Sequence, residues 1–97
     1  MARKKLPKGW TEGSVKELLD LTDEDAAIVE MRVRLAERVR ELRRSQRITQ
    51  KELARRMRST QPRIARLEQA GASIEMLMRA LFTLGVDRKE IAKLLAA

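Results

Sequence analysis

Cysteine, histidine and tyrosine are absent from the 97-residue sequence, and Trp10 and Phe82 are its only aromatic residues. Without cysteine there is no disulfide framework and no thiolate, and without histidine there is no imidazole to serve as general base or metal ligand. Histidine-dependent serine triads and most zinc sites are thereby excluded, and we expect neither cofactor nor metal. Two aromatic residues also cannot form a platform for stacking single-stranded bases, so a duplex reader is favoured over a single-strand reader.

Long apolar runs are missing as well. No 18 apolar residues follow one another, and the basic residues 1–10 contain no apolar segment of the signal-peptide kind. We therefore expect a cytoplasmic protein without a membrane partner. A chain of 97 residues with 43% hydrophobic side chains suits one globular domain. We predict a flexible basic N-terminus over residues 1–13 and a single domain over residues 14–97.

Positive charge is abundant and unevenly distributed. The chain has 22 lysines and arginines against 14 acidic residues, which gives a net charge of +8. Residues 32–66 contain thirteen basic and three acidic residues, a net +10, whereas residues 12–30 contain one basic and seven acidic residues, a net −6. This segregation favours a polyanionic partner, with nucleic acid as the first candidate. The alternative is a set of arginine-rich helices with solvated outer faces.

The pattern predicts an all-α fold, because strong helix formers dominate and β-branched and aromatic residues are sparse. Ser14 and Glu17 form a capping box for a short leader helix near residues 14–20. Thr22 is the predicted N-cap of a long helix that ends near residues 44–46. An apolar stripe with helical spacing lies along this long helix and is formed by Ile28, Met31, Leu35, Val39 and Leu42.

Two short helices should follow, near residues 49–57 and 60–69. Thr49 and Glu52 form a second capping box, and Thr60 is the predicted N-cap of the second short helix, with Pro62 in its first turn. Gly71 is expected to end that helix in a left-handed conformation.

The remaining sequence predicts two more helices, for a total of five plus the leader. Ser73 opens one that Gly85 closes, and Asp87 with Glu90 caps the last. The inward positions of these two helices are predicted to be Ile74, Leu77, Met78, Leu81, Phe82, Ile91, Leu94 and Leu95.

The helices at 49–57 and 60–69 have the spacing of a helix-turn-helix, here over residues 49–69. In this segment a Thr-Gln pair opens the first helix, Leu-Ala lies inside it, and Gln61 opens the second helix eleven residues after Gln50. At these residues the sequence resembles the Xre or phage-repressor-like helix-turn-helix family, and the resemblance covers roughly residues 32–95. It implies a repressor-like, double-stranded DNA-binding domain. Two positions depart from the family: Arg58, where glycine is common, leaves room for another turn geometry, and Pro62 replaces a small hydroxyl residue, so that one hydrogen bond is lost.

Helical geometry selects the candidate DNA contacts. If Ile64 and Leu67 point inward, then Pro62, Arg66 and Gln69 point outward, with Gln61 and Arg63 on the flanks. Arginine can donate twice to guanine, glutamine can pair with adenine, and proline can touch a thymine methyl group. The alternative for each is an exposed side chain without a partner. The remaining DNA contacts, mostly to phosphates, are predicted at Gln50, Lys51, Arg58, Thr60, Arg43, Arg44 and Arg47.

The acidic, alanine-rich stretch that begins at Ser14 looks like the leader of HigA-like antitoxins, which precedes such a domain in proteins that neutralise a small basic ribonuclease toxin. Here the leader would be residues 14–30. The resemblance implies a basic ribonuclease toxin as partner and repression of the protein's own operon. We expect the contact to use the charge complementarity of the acidic leader together with its apolar Val15, Leu18, Leu19 and Leu21. Three alternatives remain: a regulator without a toxin, an interaction module with weak DNA binding, and a leader that only packs on the long helix.

One recognition helix reads few base pairs, so we expect a homodimer on a palindromic operator. The interface is predicted at Val86, Ile91, Leu94 and Leu95, unless these residues close the core. We predict that the protein is not an enzyme, because its acidic residues lie at capping or i,i+4 spacings that account for them. A membrane-surface helix over residues 32–47 is also disfavoured, because its basic residues are not confined to one face.

Overall fold

Five α-helices form the secondary structure of the computed structural model, which describes residues 21–96. They are α1 (Asp23–Ser45), α2 (Gln50–Arg56), α3 (Gln61–Glu68), α4 (Ile74–Thr83) and α5 (Arg88–Ala96), and the described residues contain no strand. The predicted all-α fold with five helices is therefore confirmed. The predicted leader helix near residues 14–20 and the flexibility predicted for residues 1–13 both concern residues outside those described.

Four of the predicted N-caps are made by side chains. The caps accept hydrogen bonds from the backbone N–H three residues later, at 2.8–3.2 Å, and they are Thr22, Thr49, Ser73 and Asp87. The capping box at Thr49 is only half formed, because the carboxylate of Glu52 accepts from Arg55 and Arg56 instead of turning back to the cap. Thr60 is the N-cap of α3 as predicted, but its side chain makes no capping bond.

Four successive helix ends use a left-handed residue, at Arg47, Arg58, Ala70 and Gly85, with φ of 57°, 53°, 62° and 93°. After each, an N–H bonds back to the carbonyl of the residue five positions earlier, as in a Schellman motif. Arg58 thus takes the left-handed conformation that glycine usually takes at this position, and the expectation of a different turn geometry there was wrong. The left-handed end predicted at Gly71 was also wrong, because Ala70 takes that conformation. Glycine at position 71 instead allows the backbone to pass close to the end of α3, since a Cβ there would lie 3.0 Å from the carbonyl oxygen of Arg66.

The core lies where α1 meets α3, α4 and α5, with α2 packed on α3 and α4. In α1 it begins only at Leu35, and its largest fully buried side chains are Leu35, Val39, Leu53, Ile64, Leu67, Leu77 and Leu81.

Two inward predictions fail, because Ile28 is 39% exposed and Phe82 is 49% exposed. Val86 and Ile91 are each only 5% exposed and belong to the core. They are thus unavailable as a dimer interface, which corrects that prediction, whereas Leu94 and Leu95 are half-buried.

Candidate nucleic-acid interface

The helices α2 and α3 pack against each other and are joined by the four residues 57–60. Ile64 and Leu67 are essentially inaccessible, which fixes the inward side of α3. The opposite side faces solvent, as helical geometry predicted, and its exposed side chains are Gln61, Pro62, Arg63, Arg66 and Gln69. A two-helix unit with one polar, exposed helix face has the shape needed to enter a DNA groove.

A buried ion pair ties this unit to α1. The carboxylate of Glu68, only 8% exposed, accepts from Nε and Nη2 of Arg43, while Nη1 of Arg43 donates to the carbonyl of Ile48 at 3.0 Å. Burial raises the pKa of Glu68, but hydrogen bonds from Arg43 and Gln50 and the charges of Arg43 and Arg40 outweigh it, so the pKa lies below its usual value. The hydrogen bond from Glu68 likewise raises the pKa of Arg43.

This arrangement changes the role of Arg43. The sequence suggested a phosphate contact, yet its guanidinium is occupied within the fold by Glu68 and Ile48. Sequence reasoning assigned no role to Glu68, although one signal was present: a carboxylate directly after the core residue Leu67 falls on the inward side of α3. Both residues therefore position α3 and are not free for a ligand.

The same carboxylate orients two glutamines. An ionised carboxylate can only accept, so Gln50 turns its Nε2 towards Glu68, at 3.1 Å. The Oε1 of Gln50 then accepts from Nε2 of Gln61 at 2.7 Å. Gln61 is left with its own Oε1 and a second N–H, which is the acceptor and donor pair that adenine requires. The eleven-residue spacing was visible in the sequence, but the contact between the two side chains was not.

Cations without an ion-pair partner among the described residues surround the helix pair. They lie in the turn before α2, in the first turn of α2, in the turn before α3 and on α3 itself, and are Arg47, Lys51, Arg58, Arg63 and Arg66; Arg44 at the end of α1 adds a sixth. Arg55 and Arg56, by contrast, share the carboxylate of Glu52, whose pKa they lower to about 2 through their hydrogen bonds.

The N-terminus of α3 is left open. Because Thr60 makes no capping bond and Pro62 has no N–H, the Thr60 hydroxyl and the N–H groups of Gln61 and Arg63 remain for an external acceptor. An anion at this position would also meet the positive end of the helix dipole.

Neither a metal site nor a membrane span is found in residues 21–96. No group of three or more acidic side chains there could hold a metal ion. No helix in the same range is long and apolar enough to cross a membrane.

A family model described as a helix-turn-helix domain matches residues 18–91. No curated protein and no solved structure matches the chain.

Proposed function

Because the chain belongs to this helix-turn-helix family, we propose that it is a sequence-specific regulator of transcription that binds double-stranded DNA and acts as a repressor. The observation that carries the proposal is the exposed face of α3, on which Gln61 is oriented through Gln50 by the buried Glu68. In this proposal α3 is the recognition helix and lies in the major groove.

The exposed side chains divide into base readers and phosphate contacts. Gln61 pairs with adenine, Arg66 donates to guanine, and Pro62 touches a thymine methyl group, while Arg63 and Gln69 read the flanks. Phosphates are bound by Lys51, Arg58, Thr60, Arg44 and Arg47. Gln50 uses its second N–H on a phosphate while it holds Gln61 in place.

The test starts from duplexes that the full-length protein selects from a random pool. Arg66→Ala should weaken binding by roughly 1–3 kcal/mol and relax the preference at one base pair, whereas Lys51→Ala should weaken all duplexes about equally. Arg38→Ala is the control, because Arg38 already pairs with Glu41 on α1. The assignment of readers fails if both test variants bind selected and random duplexes as the parent does.

The regulator would act as a homodimer on a palindromic operator. One recognition helix contacts only a few base pairs, so specificity needs two half-sites roughly 34 Å apart. Binding of a single half-site as tight as that of the palindrome would contradict this part of the proposal.

We further propose the antitoxin role, with a basic ribonuclease as partner. The charge of α1 supports it: its first turn holds the exposed Asp23, Glu24 and Asp25 and its last turn holds Arg43 and Arg44. A helix of 23 residues is about 34 Å long, so a basic protein at the acidic end would leave the α2–α3 face clear.

The partner is tested with the product of the adjacent gene. Reversing the charges with Glu24→Lys and Asp25→Lys should weaken the complex, whereas Glu90→Lys at the exposed start of α5 should not. If the full-length protein binds no such product, the antitoxin role is removed and a regulator without a toxin remains.

A further inference from the structure

The outward face of α4 carries a large apolar side chain that the fold does not bury. Phe82 is the one aromatic residue among those described, and it is 49% exposed. The inward positions of α4 are already occupied by Leu77, Ala80 and Leu81, which are fully buried. Position 82 therefore lies at the edge of the inward side, and the half of its area that remains in water contributes nothing to folding, because the hydrophobic gain depends on the area removed from water.

The residues next to Phe82 on the outward face of α4 carry no net charge. Met78, one turn earlier, is half-buried, and Oε1 of Glu75 accepts from Nη2 of Arg79 at 3.0 Å. We call these four residues, Glu75, Met78, Arg79 and Phe82, the α4 face. The α2–α3 side differs in that five of its exposed cations have no acidic partner among the described residues; they are Arg47, Lys51, Arg58, Arg63 and Arg66.

We propose that a second copy of this chain docks on the α4 face, helix against helix about a two-fold axis. Each copy carries a net charge of +8, so approach through the basic sides is opposed by repulsion. The α4 face has no net charge, and one acid with one base makes it complementary to its own copy when the second helix runs in the opposite direction.

The apolar residues supply the attraction. When two antiparallel copies of α4 cross near residues 78–79, Phe82 of each lies within about one helical turn of Met78 of the other, and Arg79 lies within about one turn of Glu75 of the other. The pairing of thioether and ring is favourable beyond its buried area. The contact uses no residue of the α3 reading face. Its role in operator binding rests on the proposed function, but the self-association itself does not require DNA.

Sedimentation of the full-length protein over a wide range of concentrations tests the contact. The parent should dimerise, and Phe82→Gln should weaken the dimer roughly tenfold or more, since each interface loses two buried rings. The matched control is Ile28→Gln, which alters the other large hydrophobic residue exposed in residues 21–96, 39% exposed on α1. A monomeric parent, or a Phe82→Gln variant that dimerises as the parent does, overturns the proposal.

Charge exchange gives a second readout. Glu75→Arg and Arg79→Glu should each weaken the homodimer, and mixing the two single variants should restore association. In the mixture a face with two bases meets a face with two acids, while neither helix keeps its own intrahelical pair. Binding to a DNA half-site, measured on the same variants, distinguishes failure of the dimer contact from failure of the proposed DNA-binding function. If Phe82→Gln is monomeric and binds a half-site as the parent does, both stand, whereas loss of the dimer with no DNA binding by any protein refutes only the proposed function.

Discussion

At the scale of single residues, two arginines occupy a backbone conformation that favours glycine. Arg47 and Arg58 both have positive φ at a helix end, and both are exposed beside the α2–α3 unit. A left-handed conformation costs a residue other than glycine about 1 kcal/mol. The chain keeps this strain at two positions that the proposed function assigns to phosphate contacts.

Arg58→Gly relieves this strain and should therefore raise the free energy of unfolding by about 1 kcal/mol. Part of this gain is offset because glycine also gives the unfolded chain more conformational freedom. The variant should also weaken DNA binding. Ala70→Gly is the matched control, because Ala70 has a φ of 62° but no charge. It should raise stability and leave affinity unchanged. Denaturant midpoints and binding isotherms measure the two effects. Equal affinity in Arg58→Gly and the parent would remove Arg58 from the phosphate contacts.

At the scale of helices, the carboxylate of Glu68 joins α1, α2 and α3 through Arg43 and Gln50. Its pKa is lower in the folded chain, so the pair stabilises the fold above the unfolded pKa of about 4.3 and loses this effect as the pH falls through the folded pKa. Acid should therefore loosen the attachment of the α2–α3 unit to α1.

Glu68→Gln should lower the free energy of unfolding by roughly 1–3 kcal/mol near neutral pH, since it removes the charge from these hydrogen bonds. The difference from the parent should shrink as the pH falls below about 5. Glu52 also has a lowered pKa, but it is present in both proteins and cancels in the difference. A difference that stays constant down to the lowest pH would contradict this role of Glu68.

Features that depend on neighbouring residues could be predicted from the sequence, and those that depend on distant contacts could not. The caps at Thr22 and Ser73 connect residues three apart, so the local pattern contains them. The Arg43–Glu68 pair spans 25 residues, and no local pattern encodes it. Phe82 was wrongly predicted to be buried for a related reason. Helical spacing identifies the apolar side of α4, but it does not show where the neighbouring helices stop covering that side.

At the scale of the whole molecule, opposite charges lie at opposite ends of α1. Its acidic first turn is about 30 Å from its basic last turn, which lies next to the cations of the α2–α3 unit. DNA binding should thus be strongly salt-dependent, because each neutralised phosphate releases counterions.

A plot of log affinity against log salt should be linear, and Lys51→Ala should reduce its slope by about one. Arg38→Ala, which removes a cation already paired with Glu41, should leave the slope nearly unchanged. Fluorescence anisotropy at several salt concentrations measures both. Identical slopes for Lys51→Ala and the parent would exclude Lys51 from the phosphate contacts.

The hydrogen bond between Gln50 and Gln61 also determines when conformational entropy is lost. Both side chains are held before any DNA arrives, so their rotamer freedom is given up during folding. In the proposed complex the unpaired Arg63 and Arg66 would become ordered only on binding, at roughly 0.5–1.5 kcal/mol for each side chain. If these residues read bases as proposed, recognition at the base pair opposite Gln61 is preorganised, whereas recognition at the base pair opposite Arg66 carries the entropic penalty of an induced fit.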